Sequence, residues 1–252
     1  MTTHTIHVYD SAQLDHAIRN VSTDSQIVLN ENQSGYRINI FDHNFSEFDI
    51  TITSHGNTNA KVNEVYISNG KNLHFENVVF ETGPEARSQP DWRDDFMLNS
   101  CNNVTISNST MTGNAANAIL SLSDPVGELF ASITSSRNIT FQNNTIENYA
   151  RGILFRLSQE INIADNTLNM IQSDGLQFVG VEDVYIENNN FTSFYGSDNK
   201  LIHDDMIQFW STHDVGSKNV NIINNIFNST GGMGTPTIYI GNEAVDRSGK
   251  TQ

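Results

Sequence analysis

One repeated stretch reads Asn138-Ile139-Thr140-Phe141-Gln142-Asn143, with apolar residues at every second position and an asparagine at each end. Equivalent stretches occupy residues 72–77, 103–108, 160–165, 183–188 and 219–224, and an earlier copy occupies 48–52. Alternation with a period of two is typical of β-strands, because successive side chains point to opposite faces. The sequence therefore predicts a chain built from repeated strands.

The spacing of these copies predicts how the strands are arranged. Their second apolar positions are 52, 75, 106, 141, 163, 186 and 222, so the steps are 23, 31, 35, 22, 23 and 36. A step of 22 or 23 recurs three times, and we interpret the longer steps as the same unit with inserted loops. Such a period indicates a solenoid. We predict an all-β fold, a right-handed parallel β-helix, with residues 1–252 forming one domain; an ordinary β-sandwich with coincidental spacing is the alternative.

Asparagines follow the repeated strand at a nearly constant offset, as in Asn143-Asn144 and Asn224-Asn225. Asparagine tolerates the left-handed backbone region that sharp turns require. We therefore expect stacked turns whose amides bond from one unit to the next, and we prefer this interpretation to glycosylation of the Asn-x-Ser/Thr sequences.

The two ends of the chain differ from the middle. Residues 1–30 are predicted to cap the solenoid, with Ser11 as the N-cap of a helix that buries Leu14, Ala17 and Ile18. No comparable cap is visible at the C-terminal end. We expect that the natural chain continues into a further domain there, or that an oligomer covers this end.

Composition limits the classes of function. The formal net charge is −16, from 29 acidic and 13 basic residues, which argues against a nucleic-acid or anionic-membrane partner. The single cysteine excludes an internal disulfide, and no apolar run is long enough to span a membrane. The N-terminus has no signal-peptide pattern, although we expect a secreted bacterial protein from the family resemblance of the coil pattern.

A second strand is predicted after each repeated strand, at 118–122, 152–156, 175–179, 206–210 and 237–241. If its large apolar residues face the core, the intervening side chains form an outward stripe. Amide and aromatic groups on such a stripe suit the hydroxyls and faces of a sugar chain. The stripe contains Arg156, Gln177, Gln208, Trp210 and Tyr239.

An inserted segment at 192–205 brings His203, Asp204 and Asp205 to the start of this stripe, beside Asp174 one unit earlier. Tyr195 and Lys200 lie on the same segment. The carboxylates suit acid and base roles in glycoside hydrolysis. Alternatively they suit Ca²⁺ binding, with His203, Tyr195 or Lys200 removing the proton next to a uronate carboxyl group. For Asp174 or Asp205 alone, capping of a turn is an equally good interpretation.

The coil pattern resembles the pectate-lyase-like right-handed parallel β-helix superfamily over nearly the whole chain. The segments 173–178 and 203–210 are similar to bacterial secreted β-helix proteins, of the calcium-repeat, mannuronan C-5 epimerase-like and polysaccharide lyase types. This resemblance implies a polysaccharide substrate and β-helix architecture. The calcium-repeat pattern Gly-Gly-x-Gly-x-Asp is absent, and Tyr195-Gly196 matches only a fragment of the epimerase motif Tyr-Gly-Phe-Asp-Pro-His.

We therefore expect an enzyme that acts on a uronate-containing polysaccharide by β-elimination or C-5 epimerisation. His203 is assigned proton transfer, and Arg156 is assigned the uronate carboxyl group. Asp174 and Asp205 orient His203 or, with Asp204, bind Ca²⁺. The expected sugar contacts are Gln177, Gln208, Trp210, Tyr239, Tyr195 and Lys200. A glycoside hydrolase that uses the Asp cluster and a non-catalytic polysaccharide-binding or adhesive solenoid are the alternatives.

Overall fold

The structure is a computed structural model that describes residues 4–41, 47–54, 60–81, 95–113, 129–194, 205–211, 215–229 and 236–241. Within these ranges the chain forms one helix and 23 strands, and every strand pair is parallel. The expectation of an all-β chain with parallel strands and one short N-terminal helix is confirmed. No helix in the described ranges is long and apolar enough to cross a membrane.

The helix lies near the N-terminus, between the first two strands, and strands alone follow it. In chain order the elements are β1 (His4–Val8), α1 (Ser11–Asn20), β2 (Ser25–Leu29), β3 (Tyr36–Phe41), β4 (Ile50–Ser54), β5 (Lys61–Ser68), β6 (Lys71–Glu76), β7 (Val79–Glu81), β8 (Phe96–Asn99), β9 (Asn102–Ser107), β10 (Thr110–Thr112), β11 (Leu129–Thr134), β12 (Arg137–Gln142), β13 (Thr145–Glu147), β14 (Arg151–Arg156), β15 (Gln159–Ala164), β16 (Thr167–Asn169), β17 (Leu176–Val179), β18 (Glu182–Glu187), β19 (Asn190–Thr192), β20 (Ile207–Trp210), β21 (Lys218–Ile223), β22 (Ile226–Asn228) and β23 (Ile238–Gly241).

These strands form two sheets. The first contains β1, β2, β4, β6, β9, β12, β15, β18 and β21 in that order. The second has two runs that meet at β5, which pairs with both β7 and β8. Its short run is β7, β10, β13, β16, β19 and β22, and its long run is β3, β5, β8, β11, β14, β17, β20 and β23. From β6 onward the chain visits the first sheet, the short run and the long run in strict rotation.

The register predicted from the repeat is confirmed in the first sheet. Each marker position pairs with the next marker position, so every step in the sequence corresponds to one passage around the unit. The pairs are Ile52 with Phe75, Phe75 with Ile106, Ile106 with Phe141, Phe141 with Ile163, Ile163 with Ile186, and Ile186 with Ile222.

One predicted strand is wrong. The segment that pairs with β14 is β11, Leu129–Thr134, whereas residues 118–122 were expected there and lie outside the described residues. Both segments are apolar and alternate in the same way, so the pattern could not decide which of them follows the inserted segment.

The core runs through the middle of the repeated unit and is stacked in register. Phe155, Phe178 and Phe209 lie on successive strands of the long run, with ring centroids 5.3 and 4.6 Å apart and nearly parallel ring planes. These distances match the spacing of neighbouring strands, about 4.8 Å. Register pairing thus produces a continuous aromatic stack.

Turns between the strands are held by asparagine amides, as predicted. Asn108, Asn143 and Asn188 have positive φ angles between 51° and 56°, which asparagine tolerates better than most residues. Next to them runs a buried ladder, in which each Nδ2 donates to the Oδ1 of the following residue over 2.9–3.0 Å. Its members are Asn144, Asn166, Asn189 and Asn225.

The N-terminal helix buries Leu14, Ala17 and Ile18 as predicted, but its N-cap is Asp10 and not Ser11. The Asp10 backbone is extended and its carboxylate accepts a hydrogen bond from the Gln13 amide at 2.7 Å. The Ser11 hydroxyl instead accepts from the Arg37 amide at 3.0 Å. Both residue types are good N-caps, so the sequence alone did not separate them.

Candidate functional site

The outward direction of the predicted stripe is confirmed by the register of the long run. Leu154, Gln177, Gln208 and Tyr239 pair in one row across β14, β17, β20 and β23. Their chain neighbours in these strands belong to the core up to Phe209, so the row itself lies on the outer face. Arg156, Val179 and Trp210 form the next outward row.

The expected flat, exposed stripe is wrong in its middle. Gln177 is 4% exposed and Gln208 is 8% exposed, whereas Arg156 and Tyr239 are exposed and Trp210 is partly buried. Alternation fixes the side of the sheet on which a side chain lies, but not whether other parts of the chain cover it. The two glutamines are therefore available for internal contacts on the outer face, and Arg156 and Tyr239 remain open to solvent.

Asp174 is the centre of a buried hydrogen-bonded group. Its Oδ1 accepts from the backbone amide of Asp205 at 3.0 Å, and its Oδ2 accepts from the Gln177 side-chain amide. Asp174 and Asp205 are 6% and 2% exposed. Because Gln177 points outward, the Asp174 carboxylate lies on the outer face as well. The carboxylate joins the starts of β17 and β20, which are the two strands that carry the buried glutamines.

Arg151 is a candidate that the sequence analysis missed. The pairing of Ile153 with Leu176 and of Leu176 with Ile207 places Arg151, Asp174 and Asp205 in one register row, which we call the Arg-Asp-Asp row. Backbone hydrogen bonds continue the ladder to this row, from Gly152 to Asp174 and from Gly175 to Asp205. Aligning Arg151-Gly152 with Asp174-Gly175 in the sequence would have revealed this row.

The Arg151 guanidinium has bonding capacity to spare. Arg151 is partly buried, and its Nε atom is buried without a hydrogen-bond partner. Among the described residues it forms no ion pair, although Asp174 is its register neighbour, about 4.8 Å away between strands. A planar cation in this state is suited to bind a carboxylate from outside the protein.

Glycine at position 175 is required by the close approach of the strands at this row. A Cβ atom there would lie 2.6 Å from the Met206 carbonyl oxygen and 2.8 Å from the Phe194 ring. Gly175 thus lets Asp174 and Asp205 approach each other.

All three long connections in the repeated unit lead into the long run near this row. They join β7 to β8, β10 to β11 and β19 to β20, with 14, 16 and 14 residues between the strands. The corresponding connections before β14 and β17 have 3 and 6 residues. Long loops that gather at one edge of a rigid scaffold commonly carry function, which supports this edge as the site.

Four predicted site residues, Tyr195, Lys200, His203 and Asp204, lie outside the described residues. Their assigned roles stay predictions. In the part of the chain that the structure describes, no group of three or more His, Cys, Asp or Glu side chains is arranged to hold a metal ion. Asp204 belongs to the predicted calcium set, so calcium binding also stays a prediction.

Comparisons with known proteins give a limited result. No family model matches the chain, and no curated protein matches it. Among solved structures, the chain is similar to an alginate lyase from Paenibacillus sp. str. FPU-7, with 12% sequence identity and a TM-score of 0.48. The match covers 95% of this chain and 99% of that chain.

Proposed function

We propose that this chain is a right-handed parallel β-helix enzyme that modifies a uronate-containing polysaccharide by β-elimination or C-5 epimerisation. The observation that carries the proposal is the Arg-Asp-Asp row, where a guanidinium with an unused buried Nε lies beside two buried carboxylates on the outer face.

Charge is the first argument. A chain with a net charge of −16 repels an acidic polysaccharide over most of its surface, so a binding site needs a local cation. Arg151 provides one at the site, and Arg156, exposed in the same strand, provides a second. We assign Arg151 to the uronate carboxyl group at the reacting sugar, and Arg156 to a neighbouring uronate. This extends the sequence-based assignment, which used Arg156 alone.

Chemistry is the second argument. Removal of the proton on C5 of a uronate places negative charge on the adjacent carboxylate, and a guanidinium bound there stabilises that charge. In β-elimination the electron pair then forms the C4–C5 double bond, the C4–O bond breaks, and the leaving oxygen takes a proton. In epimerisation the proton returns to C5 from the other face. His203 remains our proposed proton-transfer residue.

Asp174 is proposed to position the site. Its carboxylate already accepts hydrogen bonds from Gln177 and from the Asp205 amide, so it fixes the strand ends that carry the outer-face residues. Gln208, Trp210 and Tyr239 are proposed to contact the sugar chain.

Calcium is a separate part of the proposal, with Asp174, Asp204 and Asp205 as ligands. A carboxylate oxygen can accept more than one contact, so the N–H donors to Asp174 are compatible with a cation bound to the same group. Activity should then fall in the presence of a chelator and return with added Ca²⁺. Activity that a chelator does not change would remove calcium from the proposal without removing the reaction.

The decisive experiment measures ultraviolet absorbance of unsaturated uronate products from alginate, pectate and glycosaminoglycans, with proton NMR to detect inverted C5 centres. We expect Arg151→Ala to lower kcat/KM on the order of 100-fold or more, as expected for loss of a preorganised donor to developing charge. Arg19→Ala is the matched control, because Arg19 lies on α1 and pairs with the exposed Asp15, far from this row in the chain.

Each outcome has a definite meaning. New reducing ends without unsaturation would assign the site to a glycoside hydrolase. Binding without turnover, unchanged by His203→Ala, would assign it to a polysaccharide-binding solenoid. No product and no change of configuration on any of these substrates would overturn the proposal.

A further inference from the structure

The last strands of the molecule leave apolar side chains uncovered. Ile240 is 78% exposed and Ile226 is 63% exposed, whereas Phe209, the register neighbour of Ile240 one strand earlier, is 6% exposed. Within the described residues, β21, β22 and β23 each pair with a neighbour on one side only. The core and the strand pairing therefore both stop at this end, which we call the open end.

The open end also contains a recess. Phe209, Trp210, Val220, Ile222 and Ile240 line a volume of about 450 Å³. Val220 and Ile222 are only partly buried, whereas their register neighbours Val184 and Ile186 are fully buried. Strand edges and apolar surface together favour the addition of further strands.

The opposite end of the molecule cannot supply those strands. There α1 packs against β1, β2 and β3 and buries Leu14, Ala17 and Ile18. An open end that stacked on this helix would find no matching strand edges across the unit. A head-to-tail filament is thereby disfavoured, and the remaining symmetric arrangement brings two open ends together, which gives a closed dimer.

We propose that the open end docks against the open end of a second copy of this chain, about a two-fold axis through the centre of β21. The proposal rests on the coil arrangement proposed above and not on the enzymatic activity. The chain order around the unit is β21, β22, β23, and a two-fold axis through β21 reverses that order. Consequently β21 pairs antiparallel with its copy, and β22 of each protomer meets β23 of its partner.

The lengths and side chains of these strands are compatible with this pairing. β22 has three residues and β23 has four, so the strands that meet are nearly equal in length. In the centred register of β21, Val220 lies opposite the partner's Ile222 and Asn221 lies opposite the partner's Asn221. This register keeps both apolar residues on the core side, and it places no two like charges opposite each other along β21.

Sedimentation velocity of the 252-residue chain over a range of concentrations tests the proposal. We expect a dimer for the wild type, and we expect Ile240→Lys and Ile226→Lys to raise the dimer dissociation constant on the order of 100-fold or more. Both side chains are exposed in the single chain, so these changes should leave folding intact. Phe41→Lys is the matched control, because Phe41 is 54% exposed but lies in β3, at the other end of the long run.

Cross-linking tests the symmetry axis. Across the two-fold axis, the two copies of residue 221 have Cα atoms about 4.5–5.5 Å apart, within the range of a disulfide. Asn221→Cys should therefore form a disulfide-linked dimer quickly under mild oxidation, whereas Thr140→Cys, in the same outward row three strands earlier, should not. A wild-type chain that stays monomeric, dimers that persist in Ile240→Lys, or equal cross-linking of the two cysteine variants would each overturn the proposal.

Discussion

Asn166 lies in the middle of the buried amide ladder, and its replacement by alanine tests how much the ladder stabilises the fold. Its Oδ1 accepts from the backbone N–H and the side-chain amide of Asn144, at 2.9 and 3.0 Å. Its Nδ2 donates to the Phe141 carbonyl and to Asn189 Oδ1, both at 2.9 Å. Asn166 is 1% exposed, so water cannot easily replace these four bonds.

The expected loss follows from this count. A neutral hydrogen bond contributes a net free energy of about 1 kcal/mol, and a buried donor that is left without an acceptor costs about 1–3 kcal/mol. The Asn144 backbone N–H would lose its acceptor, whereas the Asn144 side-chain amide would keep its bond to the Ile106 carbonyl. We therefore expect Asn166→Ala to lower the free energy of unfolding by about 4 kcal/mol.

Urea unfolding followed by circular dichroism measures this difference. Asn162→Ala is the matched control, because Asn162 lies in the same region of the chain, on the outer face of β15, and is only partly buried. We expect the control to change the free energy by about 0.5 kcal/mol or less. A loss in Asn166→Ala below about 1 kcal/mol would refute the reasoning, since it would mean that the ladder bonds merely replace bonds to water.

Three further predictions follow from buried groups. Gly175→Ala should destabilise the chain by about 2 kcal/mol or more in urea unfolding, because its Cβ would press on the Met206 carbonyl; an unchanged midpoint would contradict this. Tyr36→Phe should cost about 1–2 kcal/mol in the same assay, because the buried hydroxyl donates to the Asn30 carbonyl at 2.7 Å; a stability equal to that of the wild type would contradict it. Burial raises the pKa of Cys101 to about 11, so its thiol should react with a disulfide reagent at pH 8 only after unfolding; rapid labelling of the folded chain would contradict this.

The Cys101 shift also predicts a pH dependence with a definite sign. The thiol pKa is about 9 in the unfolded chain and about 11 in the folded chain, so the unfolded state loses its proton first. The thiol should therefore have no effect on stability below pH 9, and it should lower stability progressively between about pH 9 and 11. Unfolding of Cys101→Ala measured over the same pH range isolates this contribution from that of other groups.

The fold could be predicted from sequence where burial left one register. Phe141 pairs with Ile106 and Ile163 as expected, because a slip of one residue would turn every apolar side chain of the strand to the outside. The strand after a long insertion could not be placed in this way. Residues 118–122 and 129–134 both alternate, and only the pairing of Leu129–Thr134 with β14 identifies the second of them.

The candidate site was only partly accessible to sequence reasoning. Asp174 and Asp205 were found because the segments around them repeat, and the structure joins them through one hydrogen bond. The burial of Gln177 was missed, since a strand pattern carries no information on what covers a sheet. Arg151 was missed because it precedes the alternating part of β14, where the pattern is silent and only register reveals its neighbours.

The connections between the short run and the long run have a practical consequence for engineering. Their lengths range from 3 to 16 residues, yet the strands on either side keep the same pairing, as in Met111 with Ile146 and Ser132 with Leu154. The scaffold therefore tolerates exchange of sequence at this one corner without a change of strand register. A library that randomises residues 114–128 would vary the surroundings of the Arg-Asp-Asp row alone, which makes this chain a suitable starting point for selecting new polysaccharide specificities.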